Sequence, residues 1–326
     1  MNVHAQDTAM GEARVKPRVG VVTVLYQSDD VLADFFASLA AQAGVALRLY
    51  VIDNSATDSG SLMSRQLAEA AGLDAQVVFN DANLGVARGN NQGIRLALAQ
   101  GCDYVLLANN DVAFDGPDTI ANLIAPIAAS PVPIVTFPKI LYHGTNRIWC
   151  AGGTISRMKA ITTHRGDGCE DLGQFDAPGA AEYAPTCFMA LHRSVFARVG
   201  MMDENYFVYY DDTDFVWRMN RAGIHLWYVP ASRVAHKVSF STGGGESPFS
   251  LFYCTRNRLY FSRKNLGFPY AQLAQAYSVA AMLAKCVRFT AAGRRSVLRG
   301  IGEGLRLRHA PGAEAGTGGG QGSAAS

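Results

Sequence analysis

The run Val19-Gly20-Val21-Val22-Thr23-Val24-Leu25 constrains this chain more than any other segment. It is apolar at successive positions and rich in β-branched residues, the pattern of a strand covered on both faces. Leu32, Phe35, Phe36 and Leu39 follow at helical spacing. The alternation then repeats. Strands are predicted over 47–52, 77–79, 104–107 and 134–137, with helices over 62–71, 89–99 and 120–128 between them. Such repetition implies an α/β fold with a mostly parallel central sheet and helices on both faces. At 326 residues the chain can hold one large domain with appendages.

In such sheets ligands bind beyond the carboxyl ends of the strands. Polar residues gather there: Tyr26-Gln27-Ser28-Asp29-Asp30 after the first strand, a loop from Asp53 to Gly60 after the second, Asn80 to Gly85 after the third, and Asn109-Asn110-Asp111 after the fourth. Any one of these is ordinary turn chemistry. Four on one edge point to a polar ligand. Asp111 beside amide oxygens suits a hard divalent cation that also holds phosphates, and suits an Asx turn equally. Asn83 to Gly93 is glycine-spaced and enters a helix, where backbone amides and Arg88 suit an anion. A plain helix entry accounts for the same residues. His236, past a predicted strand over 226–229, gains a metal role only if the fold brings it to Asp111. Cys187, in a predicted strand over 186–190, reads as a packing residue.

Tyr210-Asp211-Asp212-Thr213-Asp214-Phe215 sets three carboxylates in four positions behind an aromatic run. Phe215, Val216, Met219 and Ala222 then repeat with helical period, and Gly223 stops them. Helix N-termini favour acids, which accounts for one or two. Crowding and partial burial would raise the pKa of at least one, which suits a general base. Taken alone, the segment fits capping and catalysis equally.

Charge is unevenly spread. Residues 1–246 carry a net charge of −7 and residues 247–326 one of +9. No acid occurs between Glu246 and Glu303, whereas nine Lys and Arg do, interleaved with aromatic and aliphatic residues. This pattern suits an anionic membrane surface through 256–309, or a solvated helical hairpin with a basic face. Nucleic acid is not expected as a partner. No apolar leader segment and no spanning run are evident, and the six scattered cysteines fit reduced thiols, so a cytoplasmic location is expected. The predicted organisation is a disordered 1–17, a catalytic domain over 18–265, a helical basic arm over 266–310 and a disordered, Gly/Ala/Ser-rich tail over 311–326.

In order along the chain, Val51-Ile52-Asp53-Asn54-Ser55, Asn83-Leu84-Gly85, Gly89 to Gly93, Leu107 to Asp111, Tyr210 to Phe215 with Arg218, Gly223, His236 and Arg256-Asn257 resemble the family 2 glycosyltransferases of the GT-A fold, over about residues 19–265. The likeness is to the bacterial rhamnosyltransferase-like branch. It implies transfer of a sugar, rhamnose being the first choice, from a nucleoside diphosphate to a glycan or lipid-linked acceptor in cell-surface polysaccharide synthesis, with inversion. The charge asymmetry adds that the basic, aromatic C-terminal arm would lie against the inner face of the cell membrane and bring in a lipid-linked acceptor. Asp53 would meet the base or ribose. Tyr26, Asn83, Gly85, Arg88 and Asn110 would line the nucleotide region. Asp111 and His236 would hold Mg2+ or Mn2+, with Asn109 standing where the family often has an acid. Asp212 would be the catalytic base, and Asp211 stands where many relatives have Glu. A nucleotidyltransferase would need a glycine-rich basic loop after the first strand, which Tyr26 to Asp30 is not. A catalytically silent sugar-nucleotide-binding subunit would not need Asp111, Asp212 and His236 together.

Overall fold

The structure, a computed structural model, describes residues 16–237 and 247–308. The termini expected to be disordered lie outside these, apart from residues 16 and 17. The first strands and helices form where periodicity places them: β1 (Arg18–Leu25), α1 (Leu32–Ala40), β2 (Ala46–Asp53), α2 (Ser59–Ala70), β3 (Ala75–Phe79), α3 (Val86–Ala99) and β4 (Tyr104–Ala108). Then come β5 (Val112–Phe114), α4 (Thr119–Ala129), β6 (Ile134–Tyr142), β7 (Ile148–Cys150), β8 (Gly153–Ser156), β9 (Ile161–His164), β10 (Gly179–Ala181) and β11 (Phe188–His192). The chain closes with α5 (Ser194–Val199), α6 (Asp211–Arg221), β12 (His225–His236), α7 (Pro248–Asn265), α8 (Tyr270–Lys285) and α9 (Ala291–Arg306).

A ten-stranded sheet runs β10-β12-β6-β11-β4-β1-β2-β3, with β5 on β12 and β7 on β6. β3, β2, β1 and β4 are parallel neighbours. β11 is inserted antiparallel between β4 and β6, and β12 continues parallel to β6. Six long strands therefore share one direction, and antiparallel β11 makes the sheet mixed. The period of two is visible in β1: Val22 belongs to the core under α3, and Val19 and Val21 to the core under α1 and α4. The expected strand over 226–229 runs on to His236. The pairing with β6 shifts register between Val229 and Arg233, and this bulge accommodates Pro230.

The glycine spacing in α3 also finds its cause here. A Cβ on Gly89 or Gly93 would lie 2.9 Å or 2.4 Å from the side chains of Val24 and Val22, so these glycines let α3 lie close on β1. At the C-terminal end, Ser247 caps α7 by accepting from Ser250 N, with Pro248 following it. α9 folds back on α7. Gly300 and Gly304 lie so near the α7 backbone that a Cβ would come within 2.8 Å and 2.6 Å of the Phe252 and Arg256 carbonyl oxygens.

Candidate active site

A cleft of about 820 Å3 opens at the carboxyl edge of the sheet, lined by Tyr26, Ser28, Asn54, Asn83, Gly85, Asn110, Asp111 and Phe249 among others. A second chamber of about 470 Å3 adjoins it, lined by Trp149, Ile161, Thr162, Tyr183, Asp211 and Asp212 among others. Asn109, Tyr209 and His236 line both. The four polar loops thus serve one site.

Asp111 and His236 meet because β5 pairs antiparallel with the end of β12, setting Val112 opposite His236. His236 Nε2 lies 3.0 Å from Asp111 Oδ1. Among the described residues that contact is not a well-aligned hydrogen bond, the buried oxygen accepts no other, and His236 Nδ1 has no hydrogen-bond partner. The imidazole is steadied by Trp149, whose ring it meets edge-on at 4.7 Å. Among the described residues no three of His, Cys, Asp or Glu gather as a metal cage.

The three acids of α6 have three fates. Asp214 is fully buried and accepts from Arg218 Nε at 2.8 Å, Asn265 Nδ2 at 2.7 Å and Lys264 Nζ at 3.0 Å. It ties α6 to α7 and serves no open site. Asp211 is buried in the wall of the second chamber, and burial, then the neighbouring Asp212 charge, pushes its carboxyl up to about 8. Asp212 is half-buried and lines the same chamber. Its Oδ1 accepts from Thr213 N at 2.6 Å, and its Oδ2 accepts from the Tyr183 hydroxyl at 2.5 Å.

This carboxylate pair hangs from strained backbone. Tyr209 and Tyr210, just before α6, have φ of 62° and 66°, which costs bulky residues roughly 1–3 kcal/mol each. Asn257 on α7, fully buried, holds them by donating to the carbonyls of Val208 at 2.7 Å and Tyr209 at 2.8 Å. Asn257→Ala should therefore destabilise the protein by roughly 1–3 kcal/mol and loosen the placement of Asp212. Thermal unfolding and steady-state kinetics check this, with kcat expected to fall more than donor affinity.

The remaining expected residues divide. Tyr26, Asn83, Gly85 and Asn110 line the first cleft. Gly85 has φ of 82°, and a Cβ there would meet the Phe207 carbonyl at 2.5 Å. Asp53 does not reach the cleft. It is fully buried, and its carboxylate accepts from Ser55 N at 3.0 Å and Ser61 Oγ at 2.8 Å, bracing the loop whose next residue, Asn54, forms the wall. Arg88 is exposed on α3 and pairs with Glu204 at 3.8 Å. The amides that were to cradle an anion are engaged too: Gly85 N donates to Asn83 Oδ1 and Val86 N to the Phe207 carbonyl. Two contributors carried no sequence signal: Tyr183 and Trp149. Each sits in a segment without period or motif.

Residues 20–200, more than half of the chain, match the family model Glycosyl transferase family 2. The N-acetylglucosaminyl-diphospho-decaprenol L-rhamnosyltransferase of Mycobacterium tuberculosis is 28% identical over 248 residues, 68% of this chain and 77% of that protein. The low-salt glycan biosynthesis hexosyltransferase of Haloferax volcanii is 24% identical over 244 residues, 74% of each chain. Among solved structures, a mannosyltransferase from Pyrobaculum calidifontis in complex with GDP-Man and Mn2+ superposes with a TM-score of 0.56 at 15% identity, over 90% of this chain and 87% of that one. The GT-A fold implied by the motifs is the fold observed, and with rhamnosyltransferases among its relatives the chain belongs to glycosyl transferase family 2.

Proposed function

We propose that this glycosyltransferase moves a hexose, rhamnose first among the choices, from a nucleoside diphosphate to a hydroxyl of a lipid-linked or glycan acceptor, with inversion, at the inner face of the cell membrane. The observation that carries this reading is the pair of adjoining chambers, with His236 lining both, Asp111 beside it in the larger and Asp212 in the smaller. The larger cleft takes the nucleotide, between Tyr26, Asn54, Asn83 and Asn110. The acceptor enters the chamber of Tyr183 and Asp212.

Asp212 accepts the proton of the attacking hydroxyl, which adds to the anomeric carbon as the bond to the diphosphate breaks. One displacement inverts the centre. Tyr183 and Thr213 hold the carboxylate still during the transfer, and Asp211, protonated near neutral pH, adds no second charge beside it. Asp111 and His236 fit a divalent cation such as Mg2+ or Mn2+. They offer one hard oxygen and one imidazole, the oxygen accepts no well-aligned hydrogen bond among the described residues, and two protein ligands suit an ion that takes its other ligands from phosphates and water. When bound, such an ion neutralises charge on the departing diphosphate. The relatives support this reading: one acts on a diphospho-decaprenol sugar by its name, and one neighbour holds Mn2+ with its donor. Residues 18–265 carry the chemistry, and 266–310 face the membrane.

A thermal-shift panel of nucleoside diphosphate sugars tests it. The correct donor at about 100 Kd should add roughly 2.7 kcal/mol of stability, and only with Mn2+ present. Asp111→Asn and His236→Ala should abolish that metal-dependent step. A donor that stabilises equally with chelator present would reject the metal assignment.

A further inference from the structure

The β8–β9 hairpin turns through Arg157-Met158-Lys159-Ala160. Its tip is exposed, Met158 by 58%. It lies against α8: Lys159 Nζ sits 5.5 Å from the Tyr277 ring centre and the Arg258 guanidinium 5.2 Å from it. Arg258, on α7, also donates to the Lys159 carbonyl at 2.7 Å, fixing the hairpin to that helix. The surface is therefore composite, built from segments more than a hundred residues apart.

α8 turns Ala271, Ala274 and Ser278 inward. Its other face presents Leu273, Ala276, Tyr277, Ala280 and Ala284 outward, and Val287 continues the stripe beyond the helix. These positions fall within one helical arc. Leu273 and Tyr277 are 45% and 41% exposed, and Phe268 at the entry to α8 is 85% exposed. Lys159 stands beside the stripe, exposed Lys285 and Arg288 lie at its end, Arg157 adds an exposed cation on the same hairpin tip, and α8 holds no acid. Not every cation counted in the sequence is available to a partner, because Arg258 and the Lys264 side chain are buried.

We propose that the hairpin tip and the outward face of α8 form one docking surface for an anionic phospholipid bilayer; this rests on the transfer to a lipid-linked acceptor argued above. An apolar stripe with cations beside it and at its end matches the depth profile of such a membrane, acyl chains below and phosphates around. A second copy of the chain would set cation against cation, which disfavours self-association. No described helix is long and apolar enough to cross the membrane. The position of the surface matters for the reaction. Ile161 and Thr162, at the other end of the hairpin turn, line the chamber of Asp212, and the Tyr210 hydroxyl donates to the Ala160 carbonyl at 2.8 Å. A lipid-borne acceptor standing in the bilayer would thus reach the base without leaving its leaflet.

Co-sedimentation of the full chain with vesicles tests the assignment. The protein should bind equimolar phosphatidylglycerol–phosphatidylcholine vesicles, bind phosphatidylcholine alone weakly, and lose the difference at about 1 M salt. Leu273→Glu combined with Met158→Glu should lower partitioning at least about tenfold, with thermal unfolding and donor hydrolysis in vesicle-free buffer unchanged. Lys285→Ala with Arg288→Ala, which leave the apolar stripe intact, should weaken binding only to the anionic vesicles. Wild-type binding by the Glu double variant would overturn the surface. So would a wild-type dimer, indifferent to vesicles, that the same variant splits. If wild type turns over no donor while vesicle binding follows the expected pattern, the transferase reading fails and the docking surface stands.

Discussion

Asp212→Asn is expected to lower kcat by two or more decades while leaving donor affinity within about threefold, since a positioned general base contributes roughly 10²–10⁴ in rate. The variant should fold. Asn Oδ1 can still accept from Thr213 N, and the new amide can donate to the Tyr183 oxygen, because a hydroxyl reverses its role where a backbone N–H does not. Only the capacity to take a proton is removed. Asp211→Asn is the contrast. Burial holds that carboxyl up to about 8, so the asparagine resembles the form present at neutral pH, and most turnover should remain. The sign for stability follows. Between about pH 4, near the unfolded value, and about pH 8, folded Asp211 keeps a proton that the unfolded chain has released, so stability falls as pH rises. Asp211→Asn should flatten that decline. Chemical denaturation across pH and steady-state kinetics read both effects, and kcat for Asp212→Asn within tenfold of wild type would remove Asp212 as the base.

The largest loss of stability is expected from Lys264→Met. Lys264 Nζ lies 2.8 Å from Asp203 Oδ2 and 3.0 Å from Asp214 Oδ1, with all three side chains no more than 6% exposed. Removing the cation takes one counter-charge from Asp203 and from Asp214, the latter keeping Arg218, and breaking a buried pair from one side costs about 3–5 kcal/mol. In a chain of this size that is a fall in Tm of roughly 4–8 °C. Adding Asp203→Asn should recover part of it, which a double-mutant cycle would read. Burial opposes charge on Asp203, but Lys264, with Asn205 and Tyr260, holds its carboxyl below the usual range. A depressed carboxylate stabilises the fold above its unfolded pKa and loses that contribution as pH falls through the folded one. The acid limb below about pH 4 should therefore be shallower in Lys264→Met than in wild type.

The parallel half of the sheet was legible because each strand from β1 to β4 is a dense apolar run followed by a helix of matching period. β5, β7 and β10 were not. Each is three residues long, too short to show a period, and β5 and β10 pair with the distant β12. Nor was the end of β12 past Pro230, because the bulge that accommodates the proline exists only in the pairing with β6. In the site, the ordered motifs pointed to Asp111, His236 and Asp212, and the fold brings them around adjoining chambers. Asp53 and Arg88 went elsewhere for tertiary reasons: two serine-loop donors claim the first, and Glu204 draws the second to the surface. Nothing local separates Asp211, Asp212 and Asp214. Their environments do, through desolvation, a tyrosine hydroxyl and a lysine two elements away.

The reach of Asn257 back to the backbone of Val208 and Tyr209 sets a lower limit on what can be borrowed from this protein. A chimera that keeps the family-defining segment and takes its closing helices from another transferase would inherit a nucleotide pocket whose proton acceptor is aimed by foreign hands. Grafts should carry the stretch through α7 as one piece, and shuffling breakpoints between residues 210 and 257 should yield binders that do not turn over.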